Sequence, residues 1–183
     1  MLSARIRIGA RLLAVMALAA LTAGCFQPMY AERTDGSPGL RDKLMGIEIP
    51  PVEKAYASRE ARVGVEIRNA LAFKLYGTAT GAPPTHRLVL RFTSTRSSLM
   101  INPATGLPTS ENYGIDVQYN LIDNATNQSV MTGTTFSRVS YDLPGSYQRF
   151  ARQRAVRDAE DRAANEVADN ISTRLAAFFT VGT

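Results

Sequence analysis

Tyr113, Ile115, Val117, Tyr119 and Leu121 alternate with Gly114, Asp116, Gln118 and Asn120, the clearest period of two in the chain. A segment patterned this way is a strand with one buried face and one wet face. The same period runs upstream, where His86, Leu88, Leu90 and Phe92 alternate with Arg87, Val89, Arg91 and Thr93 after Pro83 and Pro84. A third segment, Ser129 to Val139, is rich in Val, Thr and Phe. Polar turns, "NPATGLP" from Asn102 and "NATN" from Asn124, separate the three. Successive strands joined this way predict an antiparallel meander with one solvated face.

Two segments follow a helical period instead. Val63, Ile67, Leu71 and Leu75 recur every fourth residue with Ala70 beside them, while Arg62, Glu66, Arg68 and Lys74 take the other faces. Ser58 can cap this helix, Glu60 lies in its first turn and Gly77 can stop it, which sets its limits at Arg59 and Tyr76. Gly64 within the pattern weakens a helix by about 1 kcal/mol relative to alanine, so packing has to stabilise it. From Ala151 to Phe179 a second stripe, Val156, Ala159, Ala163, Val167, Ile171, Leu175 and Phe178, steps by three or four. Much of it is alanine, which permits close approach. A short strand at Leu44 to Ile49, "LMGIEI", closed by Pro50 and Pro51, completes the order strand, helix, three strands, helix. Two amphipathic helices and a one-sided sheet bury each other's apolar surfaces. The expected fold is therefore α+β, a two-layer sandwich of two helices on a mostly antiparallel four-stranded sheet.

The N-terminus departs from this patterning. Arg5, Arg7 and Arg11 precede "LLAVMALAAL", ten uncharged apolar residues from Leu12 to Leu21, and small residues lead to Cys25. These are the parts of a secretory leader. The apolar run is shorter than the ~20 residues a membrane-crossing helix needs. The expected organisation is a cleaved leader over 1–24, a lipidated N-terminus and tether over 25–43, and one domain over 44–183. The leader takes three of the 21 basic side chains and none of the 16 acids, leaving 18 against 16, a net +2 over 159 residues. Such a balance gives no broad electrostatic case for nucleic acid.

Cys25 is the only cysteine in 183 residues, so it forms no internal disulfide. The tetrad Thr22, Ala23, Gly24, Cys25, with Leu21 one place further upstream, resembles the site at which bacterial lipoprotein precursors are cut and acylated. One acyl chain binds a membrane marginally, whereas two or more, at about 0.8 kcal/mol per buried CH₂, hold it firmly.

Candidate chemistry is sparse. The one histidine, His86, stands at the start of a strand with no nucleophile that spacing can assign to it, and one His without a second Cys falls short of a zinc set. Asp158, Glu160 and Asp161 cluster on the second helix beside Arg157 and Arg162, and read as a salt-bridged wet face. "GTATGAPP" lacks the lysine of a phosphate loop and does not open a helix. No catalytic residue, metal site or cofactor is expected. Arg87, Arg91 and Arg96, with Arg138 and Lys74, form a candidate positive strip able to pair with phosphate oxygens; ordinary solubilising arginines are the alternative.

Longer stretches carry a family resemblance. Phe26, Gln27, Pro28, Met29 and Tyr30 resemble the Phe, any, Pro, Leu, Tyr stretch behind the lipid cysteine of the LptE family, the small lipopolysaccharide-assembly lipoproteins of the outer membrane. "RVGVEIRNAL" is similar to the family's first helix, "ENYGIDVQYNLID" to its central strand, and the segment from "SYDLPG" to "LAAFF" to its closing helix, with Asp158, Ala159 and Glu160 at its core. The resemblance implies a non-enzymatic, lipid-anchored protein. It would plug the β-barrel translocon LptD, support that barrel's assembly and contact lipopolysaccharide, with Arg87, Arg91 and Arg96 as candidate contacts. It also implies placement at the periplasmic face of the outer membrane through Cys25; aspartate behind the cysteine is associated with inner-membrane retention, and here that residue is Phe26. The alternative is a free-standing envelope lipoprotein that binds amphiphiles or peptidoglycan.

Replacing Cys25 by Ser is expected to abolish incorporation of labelled palmitate and leave the leader uncut. Gel mobility and the label check both.

Overall fold

The computed structural model describes residues 38–77, 81–144 and 148–181. The leader, Cys25 and the motif residues on either side of it lie outside the described residues. From Leu40 the elements are α1 (Leu40–Met45), β1 (Ile47–Glu48), α2 (Arg59–Tyr76), β2 (His86–Ile101), β3 (Pro108–Asp123), β4 (Ser129–Asp142) and α3 (Arg149–Val181). One four-stranded sheet has the order β1-β2-β3-β4, with β1 parallel to β2 and the long strands antiparallel. This is the expected α+β sandwich, with α2 and α3 packed on each other over one face of the sheet.

The alternation read from the sequence sets the inner face. Leu88, Leu90 and Phe92 of β2 are buried, as are the five alternating residues of β3 from Tyr113 to Leu121, and Val139 and Tyr141 continue the layer on β4. Against them lie Val63, Ile67, Leu71 and Leu75 of α2 and Ala159, Ala163, Val167, Ile171 and Leu175 of α3. Alanine on α3 lets its backbone come close to β3 and β4, since a short side chain sets a short interlayer distance.

Local chemistry holds α2 in place. The Ser58 hydroxyl accepts the Ala61 N–H at 3.0 Å, and the Gly77 N–H donates to Phe73 O at 2.8 Å. Gly64 faces inward, where a Cβ would stand 3.2 Å from Val52 Cβ and 3.4 Å from Phe92 Cε1. The helix gives up some intrinsic propensity there for close packing.

Two expectations are corrected. "LMGIEI" is not one strand: Leu44 and Met45 close helix α1, and only Ile47 and Glu48 pair with β2, opposite His86 and Arg87. Leu40 and Leu44, one helical turn apart, are both buried, so α1 begins inside the segment read as tether. Nor is the acidic cluster of α3 a uniformly wet face. Asp158 is exposed and meets Arg162 at 2.8 Å, whereas Glu160 is 1% exposed. Its carboxylate is contacted by Arg62, by Arg96 at 3.1 Å and by Arg59 at 3.7 Å, while Arg62 also reaches Asp161 at 3.5 Å.

Glu160→Ala would leave three guanidinium groups facing one another without their buried counter-charge. With the arginines themselves partly solvated, the expected loss is about 3 kcal/mol. Asp158→Ala, which removes an exposed i,i+4 pair, should cost less than about 0.5 kcal/mol. Urea unfolding midpoints of the two variants separate the cases.

Candidate functional site

The helices cover one side of the meander and leave the other open. On that open face run Val89, Arg91 and Thr93 of β2, Asp116, Gln118 and Asn120 of β3, and Thr132, Thr134, Phe136 and Arg138 of β4, by the parity opposite to the core. The register sets Arg91 against Gln118 and Gln118 against Thr134. Two shallow troughs of about 380 and 570 Å³ share these three residues. A third hollow, about 460 Å³, lies between β2 and the Pro50–Lys54 segment and is also lined by Arg87 and Arg91. Lys54 closes it by donating to Phe92 O at 2.7 Å, with its ammonium 4.6 Å from the Phe92 ring.

The arginines read as one strip therefore occupy different environments. Arg91 is exposed, and its guanidinium forms no ion pair or hydrogen bond among the described residues. Arg87 is half-buried, reaches Asn127 Oδ1 at 3.4 Å through one nitrogen, and has its Nε without a partner. Arg96 lies on the opposite parity, engaged by Glu160 and 5.7 Å from the Tyr113 ring. Arg138 is neutralised on the open face by Asp116, in a two-pronged contact of 2.8 and 2.9 Å. A Cβ at Gly114 would come within 2.9 Å of the Arg138 side chain; glycine there gives the arginine its path. Lys74 pairs with Asp169 at 2.6 Å between the two helices. Arg87 and Arg91 thus come together, and Arg96 is apart from them.

Phe136 is absent from the candidates that charge and spacing point to. It is 63% exposed beside Arg138, whose guanidinium lies 5.5 Å from its ring. An aromatic residue on the wet parity of a strand was the available signal.

Ionisable groups elsewhere do structural work. The His86 ring packs edge-on against Phe179 at 5.2 Å and lies 2.9 Å from the Thr85 hydroxyl. Asp123 accepts the backbone N–H groups of Ala125 and Thr126 in the β3–β4 turn, and these bonds hold its carboxyl below the usual range. Tyr141 donates to Glu111, and burial followed by that carboxylate pushes its hydroxyl up to about 12. Burial also raises Tyr113 and Tyr76. Among the described residues no group of three His, Cys, Asp or Glu could hold a metal ion, and no helix is long and apolar enough to cross a membrane.

A two-layer sandwich with one open polar sheet face is the class of protein that the described residues define. The comparisons say which kind. The family model LptE, described as lipopolysaccharide-assembly, matches residues 44–175, and the chain belongs to that family. It is accordingly a non-enzymatic lipoprotein of outer-membrane lipopolysaccharide assembly. Among solved structures, a candidate lipoprotein from Caulobacter crescentus CB15 is similar at 24% identity and a TM-score of 0.61, over 79% of this chain and 97% of that one. A minor lipoprotein from Acinetobacter baumannii is similar at 15% identity and a TM-score of 0.50, over 72% of this chain and 88% of that one. At these identities the likeness concerns the fold. No curated protein matches the sequence.

The raised Tyr141 has a stability consequence. Its folded value of about 12 lies above the 10.0 of an unperturbed tyrosine, so its contribution is intact below pH 10 and is lost as pH rises from about 10 to about 12. Urea unfolding across that range should show stability falling with pH, and falling less steeply in Tyr141→Phe.

Proposed function

We propose that this chain is the lipid-anchored plug subunit of an outer-membrane lipopolysaccharide translocon. It seats within an LptD-like β-barrel, supports that barrel's assembly and contacts lipopolysaccharide, and Cys25 holds it at the periplasmic face. The observation that carries the lipid contact is Arg91, an exposed cation with no counter-ion among the described residues, standing where three hollows meet. With Arg87 beside it, two guanidinium groups are available to phosphate oxygens, and guanidinium geometry suits bidentate bonds to such oxygens. Arg138 and Arg96 are already held by carboxylates and are assigned to the protein's own structure.

A hydrogen bond to a charged group contributes about 1.5–3 kcal/mol, so loss of one such contact weakens binding roughly tenfold or more. Arg91→Glu is expected to lower retention of lipopolysaccharide by at least that factor with little change in the urea midpoint. Arg96→Gln, by contrast, should lower stability through its loss to Glu160. Photo-crosslinking in intact membranes from Thr134, on the open face, is expected to capture a barrel protein. Capture of no barrel neighbour, together with unchanged retention in Arg91→Glu, would sink the reading.

A further inference from the structure

Pro50 and Pro51 follow β1 where its neighbour still has most of its length to run. β1 pairs with β2 only at His86 and Arg87, and a proline has no N–H with which to continue the ladder. Further along, β2 runs beside the Pro50–Lys54 segment across the hollow of about 460 Å³ that Arg87 and Arg91 also line. That volume lies within the ~300–1,000 Å³ of small-molecule sites.

β2 offers backbone as well as side chains to this hollow. His86 donates its N–H to Gly46 O, and Phe92 O accepts the Lys54 ammonium, so the even-numbered residues of β2 turn their backbone groups toward this edge. Leu90 lies between them and lines the hollow, although its side chain is in the core. What it presents there is peptide backbone, with an N–H past the last residue of β1.

The ionisable side chains of the lining are Lys54, Arg87 and Arg91 against Glu53, which leaves two positive charges. None of the three cations is paired with a carboxylate among the described residues. Lys54 is held by Phe92 O and the Phe92 ring, which engages one of its three N–H donors. Arg87 Nε is shielded from solvent without a hydrogen-bond partner. Such a set discriminates among anions. A phosphomonoester carries about two negative charges near pH 7 and three terminal oxygens, whereas a phosphodiester or a carboxylate carries one charge on two oxygens. The monoester alone matches the charge of the lining and has an oxygen each for Arg91, Lys54 and a backbone N–H. The uncharged walls of Pro50, Pro51 and Val89 leave room for the sugar that bears it.

We propose that the hollow beside β2 binds a terminal phosphomonoester of the glycolipid, with Lys54 and the Leu90 N–H joining Arg91 and Arg87 as donors, and that it prefers this group to a phosphate esterified twice. The assignment rests on the lipopolysaccharide contact proposed above and makes Lys54 the residue that sets its selectivity. A glycolipid whose phosphates are capped is then a poorer ligand. The hollow flanks β2, so it leaves the β4 side of the open face to other contacts.

The full chain, purified in detergent, is titrated with lipopolysaccharide bearing phosphomonoesters, with the same glycolipid after methylation of those phosphates to diesters, and with the glycolipid after their removal. The monoester form is expected to bind roughly tenfold more tightly than the diester, the effect of one charge-assisted contact, and the dephosphorylated form most weakly. Lys54→Gln should remove the difference between the two esters and Lys54→Arg should keep it, while Arg157→Gln, at an exposed position of α3, should change nothing. Equal binding of the two esters, or a Lys54→Gln variant that lowers both alike, would overturn the assignment. So would displacement of the glycolipid by inorganic phosphate at equal concentration, which would mark an ion site only, or by a glutamate-rich peptide, which would make a protein carboxylate the occupant. If lipopolysaccharide is retained and Arg91→Glu weakens it with no difference between the esters, the hollow fails while the phosphate contact stands; if none is retained, the broader reading fails with it.

Discussion

The carboxylate of Glu160 is the point on which the two layers depend. It belongs to α3, yet its partners come from α2 (Arg59 and Arg62) and from β2 (Arg96). A charge taken out of water costs several kcal/mol unless it is paired and hydrogen-bonded. Any packed arrangement that shifts α3 against α2, or either helix against β2, leaves a charge buried without its partners. The aliphatic core is tolerant about alignment, because leucine and alanine faces can slide and still be covered. The carboxylate restricts that freedom to one registration of three elements.

The same interaction divides the cations by role. Arg96 turns inward on β2 and is used to hold the sandwich together, Arg138 is used on the open face by Asp116, and Lys74 joins the helices through Asp169. Of the five cations of the candidate strip, Arg91 and Arg87 are the two that no carboxylate engages among the described residues. A net charge near zero in the 25–183 chain therefore hides a local surplus on one edge of the open face. Short-range contact rather than long-range attraction follows from that distribution, since exposed charges separated by more than ~10 Å are largely screened at about 0.1 M salt.

Most of the architecture could be read from periodicity, because each layer is one-sided. The stripe from Val63 to Leu75 and the alternation from Tyr113 to Leu121 both lie buried, and the limits at Ser58 and Gly77 are those of α2. Where periodicity misleads, a short-range rule meets a long-range partner. Leu40 and Leu44 form too brief a pattern to announce a helix; it is their burial within the core that makes the six-residue helix α1 worth forming. Glu160 lies four residues after Val156 and three before Ala163, on the buried stripe, so its position carried the signal, but its acidity argued for solvent. Its compensating arginines lie 64 to 101 residues earlier, and spacing along the chain does not reveal them. Phe136 and the separation of Arg96 from Arg91 required the register of the assembled sheet.

The covering helix of β3 and β4 is also the element that follows them in the chain. Synthesis proceeds from the N-terminus, so the meander, closed by local hairpins, can form while the part of its inner face that α3 covers has no lid. Tyr113, Ile115, Val117, Tyr119, Leu121 and Val139 then wait, wet, for the 33 residues of α3. During that interval the molecule is a two-sided sheet with an adhesive underside, the condition in which chains stick to one another rather than to themselves. The closing helix thus sets the length of the vulnerable period in the protein's life, and a holding chaperone would be most useful just before its last-made segment appears.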